Sequence, residues 1–231
     1  MSGVRSRRGR IWQGGAAVLA AALTVALTQS TTSAAFTATT GDTGNRVSSA
    51  ATFCTSSGSA SLSPTADTAA YQAQPTNKYG TANPIGVAVG TTTTANGYTF
   101  VRFSVATQAP LPSRCRVTSA TLSFFASQPT TGATLYAYRA DAAWDPATLT
   151  WSTGRPGFDG TPAVSASLPT GTTGRQQWDV TQLTQELYAG PDHGFALRDS
   201  ADIAGSTRYQ YWDSMEAADP LRRPRLDITW G

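Results

Sequence analysis

Aromatic side chains are the residues of this sequence best suited to bind a ligand. The 231 residues include 6 Trp and 8 Tyr, and a flat ring can pack on the C–H face of a sugar while polar neighbours bond its hydroxyls. The candidates are Trp144, Trp151, Trp178, Trp212, Tyr136, Tyr138, Tyr209 and Tyr211. We expect most of the tryptophans to fill a core, because Trp is usually well buried. Tyr136 and Tyr138 share a strand face opposite Leu135 and Ala137, and one of these two faces is expected to be exposed or part of a groove.

Basic residues would add recognition of an acidic sugar, because Arg grips a carboxylate with two parallel hydrogen bonds and Lys acts as a point charge. Lys78 in a turn, Arg102 and Arg139 on strands, and Arg155 in a Gly/Pro loop are the candidates of this kind. The predicted ligand-binding set is Lys78, Tyr79, Arg102, Tyr138, Arg139, Trp144 and Arg155. The alternative for each cation is an ordinary surface charge with little energetic value.

Metal and catalytic chemistry have little support in the sequence. Two cysteines and the single His193 cannot supply four zinc ligands. Asp192, Asp199 and Asp202 lie close together in the chain and are weak candidates for a structural calcium site, and no cofactor is predicted otherwise. No Gly-x-Ser-x-Gly elbow occurs, and nothing pairs a Ser with the His. We therefore predict that the chain is not an enzyme.

The elements that position these residues are predicted to be short strands. Val101, Phe103 and Val105 alternate with polar residues, which is typical of a half-buried strand. The same pattern recurs in segments separated by Pro, Gly and Asn clusters. The predicted strands lie at 66–72, 85–89, 101–105, 120–124, 133–139, 148–151, 176–178, 193–198, 208–212 and 226–230. The pattern favours an all-β protein, a jelly-roll β-sandwich.

One short helix is predicted to cap an end of this sandwich. Asp179 is a suitable N-cap, and Gln182 would complete a capping box. Val180, Leu183 and Leu187 fall on one helical face, and Gly190-Pro191 ends the pattern.

The N-terminus has the pattern of an export signal. A basic region containing Arg5 and Arg10 precedes an apolar run over residues 16–27, and small residues follow up to Ala35. The run is short for a membrane span, although a retained anchor is the alternative. We predict a signal peptide at 1–35, a flexible Ser/Thr/Gly-rich leader at 36–62 and a β-sandwich domain at 63–231. The predicted location is extracellular or at the cell surface, and the protein is not expected to be embedded in the membrane after cleavage.

Charge and cysteine content agree with export. Four of the 17 basic residues and none of the 14 acidic ones precede Ala35, which leaves 13 against 14 in the remaining chain. A nucleic-acid partner is therefore not predicted. In an oxidising compartment Cys54 and Cys115 most simply form one disulfide, with two free thiols as the alternative.

The order of several short blocks resembles one family, the DNRLRE domain, also called carbohydrate-binding module family 96. The blocks are Ala66-Asp67-Thr68, Asn77-Lys78-Tyr79-Gly80, Val101-Arg102-Phe103, the pair Trp144 and Trp151, Asp179-Val180-Thr181, and Arg223-Pro224-Arg225-Leu226. The chain departs from the family pattern at Met215, where an Arg is typical. The start of the leader, from Phe36, is similar to proteins with a SipW-type signal peptide.

The resemblance implies a secreted jelly-roll module that binds carbohydrate without catalysis. The expected partner is a polysaccharide of a cell wall or a uronate-containing polymer. The alternative is a structural surface or fibre protein that uses the same sandwich without a sugar site.

Overall fold

The computed structural model describes residues 53–89, 96–129, 132–165, 169–200 and 208–231. Within these ranges the chain forms eleven strands, two short α-helices and one 3₁₀ turn. The strands are β1 (Gly58–Leu62), β2 (Ala66–Tyr71), β3 (Ile85–Val89), β4 (Gly97–Arg102), β5 (Val117–Ala126), β6 (Leu135–Ala140), β7 (Phe158–Val164), β8 (Gly174–Asp179), β9 (Phe195–Asp199), β10 (Arg208–Trp212) and β11 (Arg225–Trp230). The helices are α1 (Val105–Gln108) and α2 (Thr181–Ala189), and the 3₁₀ turn is Pro220–Arg222.

All strand pairs are antiparallel, and they arrange as a sandwich. One layer has the order β1-β11-β5-β8, and the other has β2-β4-β9-β6-β7. Strands β10 and β3 pair with each other and connect the layers, because β10 also pairs with β5 and β3 with β4. The all-β sandwich predicted from the alternating pattern is confirmed.

The core between the layers is rich in aromatic residues. Trp178 from β8, Trp212 from β10 and Phe124 from β5 are fully buried and contact one another, with ring centroids 5.2 to 6.0 Å apart. Both indole N–H groups are bonded: Trp178 Nε1 donates to the Leu135 carbonyl at 3.2 Å and Trp212 Nε1 to Gln176 Oε1 at 3.1 Å. Burying rings of this size contributes most of the apolar driving force of a small domain.

Most predicted strands are present, with shifted ends. The 101–105 prediction is the clearest difference: β4 ends at Arg102, and Ser104 has a φ of 52° that turns the chain into α1. Val101, Phe103 and Val105 are nevertheless all buried. The predicted strand at 148–151 is wrong, because amides of Thr148 and Leu149 bond the Asp145 carbonyl in a turn. Strands β1 and β7 were not predicted, and β1 lies inside the segment interpreted as leader.

The predicted helix is confirmed as α2, but its cap differs. Asp179 is the last residue of β8, paired with Thr121, so the N-cap is Val180. The Asp179 carboxylate still accepts the Thr181 amide at 3.0 Å, and the hydrogen bonds from Thr181 lower the pKa of that carboxyl. Leu183 and Leu187 are buried as predicted. The side chain of Gln182 bonds Glu186 instead of closing a capping box.

Cys54 and Cys115 form the predicted disulfide. It ties the chain just before β1 to the chain just before β5. The predicted signal peptide and the leader up to residue 52 lie outside the described residues, as does Asp202. No helix in the described part of the chain has the length and apolarity to cross a membrane.

Candidate functional site

The Trp144–Trp151 segment covers the outer face of β4 and its neighbours. Trp144 is buried against Phe100 of β4, with ring centroids 6.0 Å apart, and its Nε1 donates to the His193 carbonyl at 2.7 Å. Arg102 lies over the same indole at 5.1 Å and donates to the Trp144 carbonyl at 3.2 Å. Leu149 is also buried, whereas Trp151 remains half-exposed. These contacts anchor the segment as a second, smaller core outside the sandwich.

This core continues into a partly buried cluster that we call the arginine–aromatic strip, made of Tyr98, Tyr138, Trp151, Arg155, Phe158 and Arg198. Tyr98 contacts Trp151 at 5.0 Å and Phe158 at 4.9 Å between ring centroids. The guanidinium carbon of Arg155 lies 4.3 Å from the ring centroid of Trp151, and that of Arg198 lies 4.9 Å from the ring centroid of Phe158. Cation–π contacts of this kind hold the guanidinium groups against the rings.

Arg139 lies on the opposite face of β6 from Tyr138, as the two-residue period of a strand requires. Its guanidinium forms ion pairs with Asp159 and with Glu186, the latter at 2.8 Å. Since Glu186 belongs to α2, Arg139 connects β6, β7 and this helix. The structure therefore gives Arg139 two carboxylate partners within the protein.

A second surface, which we call the tyrosine groove, is lined by Tyr71, Tyr79, Tyr209 and Tyr211 together with Gln74 and small residues. Its volume is about 330 Å³, within the range of small-ligand pockets. The rings of Tyr209 and Tyr211 lie within 7° of parallel, with centroids 6.2 Å apart. Tyr71 and Tyr79 meet edge to face at 4.8 Å. Tyr209 is the most open, with 43% of its surface exposed.

The floor of the groove is made of small residues on paired strands. Tyr209 pairs with Ala88 and Tyr211 with Gly86 across β10 and β3, and Ala88 pairs in turn with Gly97 of β4. A Cβ at Gly97 would run into the ring of Tyr71, so only glycine lets that ring lie over the strand. The tyrosine side chains on either side therefore project above these small residues.

The turn after β2 builds the wall of the groove. Amides of Gln74 and Ala82 bond the carbonyls of Tyr71 and Tyr79, which folds the segment back toward β3. Gly80 packs so closely on Pro146 that a side chain there would overlap its carbonyl. The Tyr79 hydroxyl donates to Gln74 Oε1. The Asn77–Gly80 block thus holds Tyr79 in place by contact with the Trp144–Trp151 segment.

The described residues that line the groove are uncharged. None of them is Asp, Glu, Lys, Arg or His. Burial raises the pKa of the Tyr71 hydroxyl, and burial followed by the neighbouring Tyr209 and Tyr79 raises the pKa of Tyr211. These hydroxyls therefore stay protonated at neutral pH and can both donate and accept hydrogen bonds.

The aspartates considered for calcium have protein donors as partners. The two carboxylate oxygens of Asp192 accept the amides of Val105 at 2.8 Å and Gly194 at 3.1 Å. Asp199 is buried and pairs with Arg208. Among the described residues there is no group of three or more side chains that could hold a metal ion.

The predicted ligand-binding residues are distributed over several places. Tyr79 lines the tyrosine groove, and Lys78 is exposed on the adjacent turn. Tyr138 and Arg155 belong to the arginine–aromatic strip, while Arg102, Arg139 and Trp144 make the packing and ion-pair contacts described above. Their assignment to a ligand site stays a prediction. Tyr71, Tyr209 and Tyr211 were not in the predicted set, although the i, i+2 spacing of Tyr209 and Tyr211 is a signal that one face carries both rings.

The described residues thus form a β-sandwich with an open aromatic groove. The family model for carbohydrate-binding module family 96 matches residues 58–229. The chain therefore belongs to carbohydrate-binding module family 96, a family that is typically non-catalytic. The resemblance drawn from the sequence is confirmed, and the match begins at β1. No curated protein matches the chain.

Proposed function

We propose that this protein is a secreted, non-catalytic module that binds a polysaccharide in the tyrosine groove. The observation that carries the proposal is the pair Tyr209 and Tyr211, whose rings lie within 7° of parallel beside the open space of the groove. The two stacked rings lie two residues apart on one strand and offer aromatic surface beside the groove, against which a sugar ring can pack. Family membership supports carbohydrate as the ligand class.

The polar groups of the groove suit sugar hydroxyls. The hydroxyls of Tyr71 and Tyr79 and the amide of Gln74 lie beside the apolar ring faces. A pyranose has the same combination of C–H faces and an equatorial belt of hydroxyls, so it can use both parts of the lining. None of the described residues that line the groove carries a carboxylate, an imidazole or a serine hydroxyl.

Secretion is supported by the formed Cys54–Cys115 disulfide, because structural disulfides belong to oxidising compartments. The predicted export signal at 1–35 points the same way. A cell-wall or environmental polysaccharide would be accessible to a protein in that location.

The alternative, a structural fibre protein, would need an exposed apolar edge strand for assembly. The end strands of the two layers are β1 and β8 in one and β2 and β7 in the other, and β1 and β7 are the two considered for strand addition. Strand β1 reads Gly-Ser-Ala-Ser-Leu, and β7 contains Asp159, Gly160 and Pro162. Pro and charge on an edge oppose strand addition, so these edges favour the binding function.

Affinity electrophoresis of the exported protein in gels containing xylan, cellulose derivatives, pectate, alginate or peptidoglycan tests the proposal. We expect at least one polymer to retard the protein, and the double variant Tyr209→Ala/Tyr211→Ala to lose about 10- to 100-fold in affinity, as central aromatic contacts often do. The matched control is Tyr136→Ala, since Tyr136 is also a half-exposed strand tyrosine but lies outside the groove.

Circular dichroism of each variant establishes that the sandwich is intact. Equal loss of retardation in the control and the double variant would place the ligand elsewhere. Free migration of the wild-type protein through every gel would contradict the binding function, and sedimentation would then test the fibre alternative.

A further inference from the structure

We infer that a pocket lined by Arg175, Arg223 and Arg225 is a further binding site, which takes a phosphate or sulfate ester group carried by a glycan. The volume of this arginine pocket is about 230 Å³, and Ser61 and Ser63 line it as well. The described residues that line it are all different from those that line the tyrosine groove. The inference therefore goes beyond the proposed function and does not depend on it.

Strand pairing places two of the arginines on one face of the sandwich. Arg225 of β11 pairs with Ser123 of β5, and Arg175 of β8 pairs with Phe125 of β5. Because Ser123 and Phe125 are two residues apart on one strand, both pairs lie on the same side of the layer. Arg225 is exposed, so this is the outer side. Arg223 follows the 3₁₀ turn two residues before Arg225 and completes the set.

Arg175 is held in place by hydrogen bonds to the sheet and to the turn. Its guanidinium donates to Ser123 Oγ at 3.1 Å, to the Arg223 carbonyl at 3.4 Å and to the Leu221 carbonyl. Leu221 belongs to the 3₁₀ turn, and Arg223 is the residue that ends it. Arg175 therefore fixes the turn against the sheet, and its positive charge is in position before a ligand binds.

Arg223 and Arg225 retain hydrogen-bond donors for a ligand. Arg223 Nε donates to the Ala217 carbonyl at 2.9 Å, and Arg225 Nε pairs with Asp227 Oδ2 at 2.9 Å. Within the described part of the chain, no group accepts a hydrogen bond from the terminal nitrogens of these two arginines. Since Nε–H is only one of the N–H groups of a guanidinium, each side chain keeps most of its donors.

The arginines also repel one another. Burial lowers the pKa of Arg175, the positive charge of Arg225 lowers it further, and Asp227 acts against both. A bound anion would relieve this repulsion, as Asp227 does in part. Other carboxylates of this part of the chain have partners of their own, namely Asp213, Glu216 and Asp219.

The number and the directions of the donors favour an ester group with several free oxygens. A carboxylate has two oxygens in one plane and is matched by a single guanidinium fork. A phosphate monoester has three acceptor oxygens and a charge of about −1.5 to −2 at neutral pH, and a sulfate ester presents its free oxygens in the same tetrahedral arrangement. Arginines that approach from β8, from β11 and from the turn match this arrangement better than a planar group.

A glycan is the expected carrier of the ester, because the chain belongs to a carbohydrate-binding family. Leu221 lines the pocket beside the arginines and is 79% exposed. Its side chain offers an apolar contact to the C–H groups of a sugar ring. The pocket thus combines contacts for the ester group with a contact for the sugar that carries it.

The experiment uses sugars that differ only at carbon 6: glucose, glucuronate, glucose 6-phosphate and glucose 6-sulfate. Their binding to the exported protein is measured by NMR titration, in which the arginine Nε–H signals report on the guanidinium groups. The variant Arg223→Gln/Arg225→Gln removes two charges from the pocket. The matched control, Arg114→Gln/Arg116→Gln, removes the same charge from two arginines of the same spacing that do not line it. Arg225→Gln alone is a second variant in case the double variant does not fold, since Arg225 is exposed.

We expect at least one of the two esters to bind at least about 10-fold more tightly than glucose and glucuronate, because these sugars lack the charge-assisted hydrogen bonds of the ester oxygens. The double variant should lose at least about 10-fold in affinity for that ester, and Arg225→Gln at least about 3-fold. The control and Tyr209→Ala/Tyr211→Ala should change it by less than about 2-fold. A preference for one ester identifies phosphorylated or sulfated glycans as the source.

Three results would overturn the inference. Glucuronate that binds as tightly as the esters would exclude the proposed ligand class. Equal losses in the pocket variants and the control, or a loss in the tyrosine variant, would place the ester outside the arginine pocket. No binding of either ester would exclude the site and leave the proposed function of the tyrosine groove standing.

Discussion

In the arginine–aromatic strip, guanidinium groups occupy the faces of the rings; in the tyrosine groove, the rings border open space. The guanidinium carbon of Arg155 lies 4.3 Å from the ring centroid of Trp151 and 5.2 Å from that of Tyr98. The guanidinium of Arg198 lies close to the rings of Tyr138 and Phe158. The described residues that line the groove include no arginine or lysine. Both regions are rich in aromatic rings, but they differ in what packs against those rings.

The difference teaches that aromatic content alone does not locate a sugar site. A ring that is stacked under an arginine contributes to the stability of the fold, and displacing the arginine would cost that contact. The tyrosines of the groove instead contact other tyrosines and border open space. Truncating rings in the two regions should therefore change different measured quantities.

The largest expected effect is on the free energy of unfolding. It comes from the buried core of the Trp144–Trp151 segment, next to the arginine–aromatic strip. Trp144→Ala should lower the free energy of unfolding by about 3 to 5 kcal/mol, because it empties a buried site and removes the hydrogen bond to the His193 carbonyl. Denaturant unfolding followed by fluorescence measures the change. Tyr209→Ala, in the open groove, should shift stability by only about 0.5 kcal/mol. Equal losses in the two variants would contradict the distinction between the regions.

Much of the fold could be predicted because the alternation of apolar and polar residues along a strand indicates which of its faces is buried. Strands β3 and β10 have the predicted bounds, and α2 buries the predicted face. Strand β1 could not be found in this way, since Gly, Ser and Ala hardly alternate in hydrophobicity. Strand β7 carries Gly160 and Pro162, which indicate a loop in an isolated sequence.

The site was harder to predict because it depends on contacts between distant segments. The spacing of Trp144 and Trp151 is conspicuous, yet Trp144 is a core residue. The groove joins the end of β2 with β10, far apart in the chain, and its floor depends on Gly97 and Ala88. The sequence pattern within one segment does not predict that the end of β2 meets β10. It also does not predict which aromatic rings border the groove.

Strand β2 contributes to both the tyrosine groove and the sandwich core, and a buried carboxyl on it makes the free energy of unfolding depend on pH. Strand β2 ends in Tyr71 of the groove and also carries Asp67, which is buried in the sandwich. Burial raises the pKa of Asp67 to about 8, and the charge of Glu216 adds to this against the opposing hydrogen bond from the Met215 amide. Because the folded pKa lies above the unfolded value, the stabilisation is complete below about pH 4 and is lost as the pH rises toward 8.

Unfolding free energy should therefore fall between about pH 5 and pH 8, by at most about 1.4 kcal/mol per pH unit for this one proton. Burial raises the pKa of Asp213 as well, which acts in the same direction. Asp67→Asn imitates the protonated carboxyl and should flatten the decline. Chemical denaturation across the pH series measures this decline in unfolding free energy. If the free energy of Asp67→Asn falls with pH as steeply as that of the wild type, the decline belongs to another group.

A smaller effect is expected from removing one guanidinium of the strip. Arg155→Ala should lower the unfolding free energy by about 1 kcal/mol, since the stacked cation lies half-exposed over Trp151 and Tyr98. Arg155→Lys keeps the charge but loses the planar stacking group. Comparing the two variants by thermal unfolding separates charge from stacking, and equal stability of the lysine variant and the wild type would assign the effect to charge alone.

The smallest expected effect is that of pH on affinity. The Tyr71 and Tyr211 hydroxyls have raised pKa values, so neither ionises between about pH 6 and pH 9. Per folded molecule, the affinity for a neutral polymer should change by less than about 2-fold over this range, while stability declines as Asp67 ionises. Affinity electrophoresis at each pH, corrected by the folded fraction, compares the two. A titration of affinity with a midpoint in this range would mean that an ionisable group other than Tyr71 and Tyr211 contacts the ligand.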